Sequence, residues 1–195
     1  LNPSSAASDV YKRQIMVCSA TQIKATDFTN FMLRTMAEVD ILQCLLPNLD
    51  NRTSNVAFDV GPCTVEQSPS VRALGIGAQT TGQRCTCAIL DDIETAANTL
   101  TILKQERIAH SVTEIESVIK PDEGQLLPRK VIYLGTPHTE TSIYLRLVRE
   151  RGYKSRYFPA LYPADFETYE GNCDPRIQEE VESNPSLVDL SLIHI

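Results

Sequence analysis

The sequence predicts an α/β domain built on a mainly parallel sheet. Three observations carry this. Short apolar runs alternate with stretches whose apolar residues recur at helical spacing. One run, Lys130 to Leu134, is almost continuously apolar, as expected of a strand buried in a parallel sheet. And 195 residues with 42% hydrophobic content are enough for one sizeable core.

The elements follow in order. Ile15 to Ala20 reads as a short buried strand. Thr26-Asp27 can cap a helix over 27–46, where Phe28, Phe31, Met32, Thr35, Met36, Val39, Leu42 and Leu46 lie near helical spacing and Pro47-Asn48 ends it. Asn55 to Val60 and Ser70 to Ile76 are two short strands around the Gly61-Pro62 turn. Cys85 to Leu90 is a strand tipped by acids, Asp91-Asp92-Ile93-Glu94. Ile93 to Ile119 reads as mostly helical, broken by Lys120-Pro121-Asp122-Glu123-Gly124. The strand Lys130 to Leu134 comes next, then a helix from Ser142 to Arg151 that stops at Gly152, then a strand from Tyr153 to Leu161. Beyond Pro163 the chain turns polar and acidic, with one short helix expected within Asn172 to Asn184.

Composition excludes several classes. No apolar run has the length of a transmembrane helix, and no basic segment precedes an apolar one as in a signal peptide. With 18 basic and 25 acidic residues the net charge is −7, so any DNA contact must be local rather than a general basic surface. The six cysteines form no Cys-x-x-Cys pair, the histidines are not at ligand spacing, and buried reduced thiols are expected rather than a disulfide framework. The sequon at Asn51-Arg52-Thr53 is a chance match in such a chain.

Both ends look foreign. SSAASDVYKRQ (4–14) and the final LSLIHI read as one sequencing adapter translated in opposite orientations. Segments 1–14 and 190–195 are therefore set aside as non-native, and the remainder is expected to be a piece of a longer reading frame.

Two strand ends bear chemistry. A carboxylate fixed at the tip of an apolar strand can hold Mg²⁺ through water, and a second can orient an attacking water. The same acids would equally suit the first turn of a following helix. Leu134-Gly135-Thr136-Pro137 places a hydroxyl beside a glycine that lets backbone approach a phosphate, which suits γ-phosphate sensing as well as a plain strand exit. In parallel sheets ligands collect beyond the carboxyl ends of the strands, where both tips lie. Gly77 to Arg84 has the glycine spacing of a phosphate loop, but Gln83 stands where Lys belongs, Arg84 where Ser or Thr belongs, and a strand follows instead of a helix. It reads as a connection. Arg84 itself is a candidate guanidinium for a phosphate, or a solvated Arg.

The ordered string SVRALGIGAQTTGQR (70–84), AILDDIE (88–94), Asn98, VIYLGTPHTETSIY (131–144), RGY (151–153) and FPALYP (158–163) resembles the large terminase subunit of short-tailed bacteriophages, also called DNA maturase B. The resemblance implies a RecA-like P-loop ATPase core, truncated at both ends, over 15–165, and a linker over 166–189 toward a metal-dependent nuclease domain. It implies ATP and Mg²⁺ as cofactors, with Asp91 as the Walker B magnesium acid and Asp92 or Glu94 as the water-activating acid. Gly135 and Thr136 would form the coupling motif at the nucleotide, and Arg84 an arginine finger on a neighbour's ATP. His138 departs from the Gln expected there. The implied partners are double-stranded DNA, the portal protein, the small terminase subunit and further copies in a ring. The implied place is the host cytoplasm at the procapsid portal, away from any membrane. The chain alone, without a phosphate loop, is expected to be inactive. A RecA-like helicase or other nucleic-acid translocase is the alternative motor, although its Asp-Glu-x-His or Asp-Glu-x-Asp motif does not appear, and the one Ser-Ala-Thr, Ser19-Ala20-Thr21, precedes the acidic strand where a helicase's later motif would follow it. A non-catalytic interaction module is the other alternative.

Overall fold

The computed structural model of the chain describes residues 13–120 and 129–192. The chain divides into two compact units, Leu1–Leu145 and Arg146–Ile195.

The first unit is a five-stranded sheet flanked by helices. Its strands are β1 (Ile15–Ser19), β2 (Ala57–Phe58), β3 (Val71–Gly75), β4 (Cys87–Asp91) and β5 (Lys130–Leu134), in the order β2-β3-β1-β4-β5. β3, β1, β4 and β5 run parallel, and only the two-residue β2 is antiparallel, against β3. The mixed α/β class and the parallel sheet thus agree with the sequence. Val17, Met36, Phe58 and Val71 form a buried cluster, with Phe28, Met32, Leu33 and Leu42 packed against it. Alternating side chains of β1 and β3 supply one side of that cluster and one stripe of helix α1 (Gln22–Glu38) the other.

Helix α1 starts earlier than Thr26. Thr21 is extended, and its hydroxyl accepts the Lys24 N–H at 3.3 Å, a cap worth about 1 kcal/mol. Thr26 instead donates its hydroxyl to the Gln22 carbonyl at 2.8 Å. A threonine can return a hydrogen bond to the preceding turn, so it need not mark a helix start. The α-helix stops at Glu38, and a 3₁₀ segment, Asp40–Leu45, completes the stretch expected to 46.

Helix α2 spans only Ile102–Ser117, burying Ile108, Ala109, Val112 and Ile115. The expected helical start at Ile93 is a correction. Asn98 donates to the Ile93 carbonyl (2.9 Å) and accepts the Thr95 N–H (2.7 Å), so side chains hold this backbone in a folded loop. Strand β5 is also less buried than its sequence suggests. It is the outermost strand among the described residues, and Ile132 and Leu134 are exposed. The adapter reading of 1–14 falls largely outside the described residues. Gln14, at its border, is buried at the head of β1 and donates its N–H to Thr86. All six cysteines are free. Burial pushes the Cys18 and Cys85 thiols up to about 12, as inert core thiols.

The boundary between the units falls within helix α3 (Ile143–Arg151), which ends before Gly152 at φ +70°. In the second unit the strand expected over 153–161 does not form. Tyr157 bridges singly to Cys173 and Leu161 to Ser191, and Pro159 between them has no N–H for a ladder. Helix α4 (Pro175–Ser183) fulfils the expected short helix. Its cap, Asp174, is fully buried and accepts from the Arg176 side chain (3.0 Å) and backbone (3.0 Å) and from Arg156 (3.2 Å). The Arg176 hydrogen bonds, with the Arg156 charge, hold its carboxyl below the usual range. A depressed carboxyl stabilises the folded state above the unfolded value of about 3.9 and loses that contribution as pH falls through the lower folded value. Acid titration by far-UV circular dichroism is therefore expected to show α4 loosening below about pH 4, and Asp174→Asn to flatten that step. An unchanged acid profile in the variant would refute this account of the cap.

Candidate functional site

The parallel pairing of β4 with β5 puts both chemistry-bearing tips side by side. Asp91 lies opposite Leu134 in the register, and the Asp92 N–H donates to the Leu134 carbonyl at 2.9 Å. On its other side Asp91 pairs with Ser19 at the end of the central strand β1. Asp91, Asp92, Gly135 and Thr136 therefore share one carboxyl edge, as the sequence leads one to expect.

Asp91 is partly buried. Burial, and then the neighbouring Asp92 carboxylate, raise its carboxyl above the ordinary range, while Lys24 pulls the other way. Lys24 stands in the first turn of α1, a placement no motif announced. Asp92 is exposed, in a left-handed conformation at φ +45° that Asp tolerates better than most residues. Two adjacent carboxylates held at one rigid tip suit a divalent cation, which would relieve their repulsion. The donor set is small. Among the described residues no group of three or more His, Cys, Asp and Glu could hold a metal, so further oxygens would have to come from water and phosphate, as is usual for Mg²⁺.

Glu94 is placed differently. Its carboxylate is buried and faces protein, accepting the Ser142 hydroxyl at 2.5 Å and the Ile143 N–H at 2.7 Å. Both oxygens are thus taken by the residues that begin α3, a favourable place for a negative charge. Of the two acids considered for water activation, only Asp92 has its carboxylate at the surface. Removing the buried acceptor would orphan a hydroxyl and an N–H. Glu94→Ala is therefore expected to cost about 3 kcal/mol and to lower the melting temperature of the chain by roughly 10 °C, with Glu94→Gln milder. A loss under about 1 kcal/mol in thermal unfolding would contradict this role.

Gly135 and Thr136 are exposed just past β5. Gly135 has φ +155°, and a Cβ there would overlap the Tyr144 hydroxyl and lie 2.5 Å from its Cζ. Arg84 is not brought to this edge. It sits before β4, at the opposite end of the sheet, lining with Arg72 and Gln83 a cavity of about 150 Å³. It lies a strand's length from Asp91 and cannot act at the Asp91 edge of its own chain. The Gly77–Arg84 stretch is a turn, with Gly77 and Gly82 at positive φ, and a strand follows it. His138 is exposed in the loop after β5. Sequence reasoning missed Lys24, Ser142 and Tyr144 as parts of this edge.

No protein-family model matches the chain. Among curated proteins it is similar to "Terminase, large subunit" of Enterobacteria phage T3, 36% identical over 170 residues. The match covers 86% of this chain. This stretch of sequence belongs to the terminase large-subunit family. It spans 28% of the length of the phage T3 relative. Within this terminase segment, no described helix is long and apolar enough to cross a membrane.

Proposed function

We propose that the chain is part of an ATP-driven DNA-packaging motor and carries the hydrolytic edge of its ATP site. The observation that carries this is the side-by-side placement of the Asp91-Asp92 tip and the Gly135-Thr136 tip on one carboxyl edge, in a terminase large-subunit sequence. The fold is then the RecA-like P-loop class, with Asp91 in the Walker B position. The exposed outer edge of β5 leaves room beside Thr136 for a further parallel strand that would deliver the phosphate loop.

Asp91, with Asp92 beside it, would hold Mg²⁺, which when bound neutralises charge on the transferring phosphoryl group. Asp92, exposed at the same tip, orients the attacking water. Thr136 senses the γ-phosphate through its hydroxyl and passes the state of the site onward. Lys24 offsets the carboxylate charge at the edge. Glu94 holds the first turn of α3 and takes no part in hydrolysis. Arg84, at the far end of the sheet, is left free to reach the ATP of a neighbouring copy in a ring. The partners of such a motor are double-stranded DNA, the portal protein and the small terminase subunit, with a separate nuclease domain cutting the DNA. Its place of work is the host cytoplasm at the procapsid portal.

The test is a packaging assay with the complete large subunit, procapsids, DNA and ATP. Nuclease-protected DNA that depends on ATP and Mg²⁺ is the expected result. Unwinding of duplex DNA without packaging would favour the helicase reading, and neither activity would favour an interaction module.

A further inference from the structure

We infer that Tyr144 is a positioning residue that ties the acidic tip to the Thr136 tip, so that the two move as one unit. This rests on the ATP-site reading above. The Tyr144 hydroxyl accepts the Ile93 N–H at 3.1 Å and donates to the Leu134 carbonyl at 3.2 Å. The same carbonyl also accepts the Asp92 N–H. One phenol oxygen therefore bridges the residue after Asp92 and the residue before Gly135.

Three further features serve this bridge. Gly135 has no side chain, and any Cβ there would strike the Tyr144 ring tip. The two residues before Tyr144, Ser142 and Ile143, are fixed by the buried Glu94 carboxylate, so the ring springs from an anchored turn. Burial pushes the phenol up to about 12, so the hydroxyl keeps its proton and remains a donor at neutral pH. The strap also accounts for the backbone of Asp92. Hydrogen bonds from Asp92 N–H and Ile93 N–H hold that residue at φ +45°, which sets the direction of its carboxylate.

Tyr144→Phe keeps the ring under Gly135 and removes only the oxygen. In the complete large subunit we expect kcat for ATP to fall about 10-fold or more, with KM within about twofold, because a small misplacement of a positioned group acts on the chemical step. In the 195-residue chain, the Ile93 amide should exchange at least about 10-fold faster while the core amides of β1 stay protected. Gly135→Ala, which pushes the ring aside, should give the same kinetic pattern. A purely space-filling tyrosine would leave kcat and Ile93 exchange unchanged in Tyr144→Phe, and that result overturns the inference. Asp91→Ala, assayed in parallel, separates the two claims. If it is inactive while Tyr144→Phe is wild type, only the strap fails. If it hydrolyses ATP normally, the site reading itself fails.

Discussion

Asp91→Ala in the complete large subunit is expected to abolish ATP hydrolysis, lowering kcat by about 10³-fold or more, on the scale seen when charge stabilisation is removed from phosphoryl transfer. Leu90 is fully buried and β4 is held by β1 on one side and β5 on the other, so its last residue cannot drift. Asp91 stands at that fixed point, with burial and Asp92 both opposing its ionisation. A carboxyl whose folded value is raised costs stability once it ionises, above the ordinary carboxylate range. The chain therefore accepts an unfavourable charge at a rigid tip, as functional sites often do. Without Mg²⁺ at neutral pH, Asp91→Asn should raise the melting temperature, because it removes that penalty. Phosphate release and thermal unfolding measure the two halves of the prediction. A variant that is less stable and still hydrolyses ATP would refute both.

Thr136→Ala is expected to stop DNA movement while sparing the nucleotide. Packaging should fall more than about 10-fold, with ATP affinity within about twofold, the pattern of a lost conformational step rather than lost binding. The hydroxyl stands just past the last residue of β5, exposed and next to a glycine backbone. The Leu134 carbonyl before it already receives hydrogen bonds from Asp92 and Tyr144. A ligand that engages Thr136 thus pulls on a segment bonded directly to the acidic tip. Alanine keeps the backbone and removes only the signal. Nuclease protection and ATP binding, measured on one preparation, check it. Packaging at the wild-type rate would contradict the coupling role.

What was legible in the sequence is the part governed by local pattern. Runs such as Ile15 to Ser19 and Cys87 to Leu90 declare themselves as strands because continuous apolar side chains have few other places to go. The acids after Leu90 and the Gly-Thr after Leu134 could be put on one edge because parallel strands share a direction. The register, Asp91 against Leu134, was not legible, since it is set by pairing between distant segments. Nor was the different fate of Asp92 and Glu94. Two positions apart, one faces solvent and the other binds Ser142 and Ile143, and only the fold brings those residues to it. Threonines misplaced the start of α1 for a related reason, because Thr21 and Thr26 have the same chemistry and differ only in which backbone group they meet. Tyr144 left a faint signal, a tyrosine two residues after the serine that opens a helix. The expected strand at 153–161 failed because Tyr157 and Leu161 bridge singly to two different segments and Pro159 between them cannot donate to a ladder, and its apolar residues, Phe158 and Leu161 among them, remain exposed.

One metal–nucleotide site between the two tips can be mapped by replacing Mg²⁺ with Fe²⁺ in the complete large subunit and generating radicals at the bound ion with ascorbate and peroxide. ATP-dependent cuts of the backbone at Asp91-Asp92 and at Gly135-Thr136 in the same molecules, both lost in Asp91→Ala, are expected. Cuts confined to the opposite end of the sheet around Gln83 and Arg84, or cuts at the two tips that ignore both ATP and Asp91, would contradict such a site.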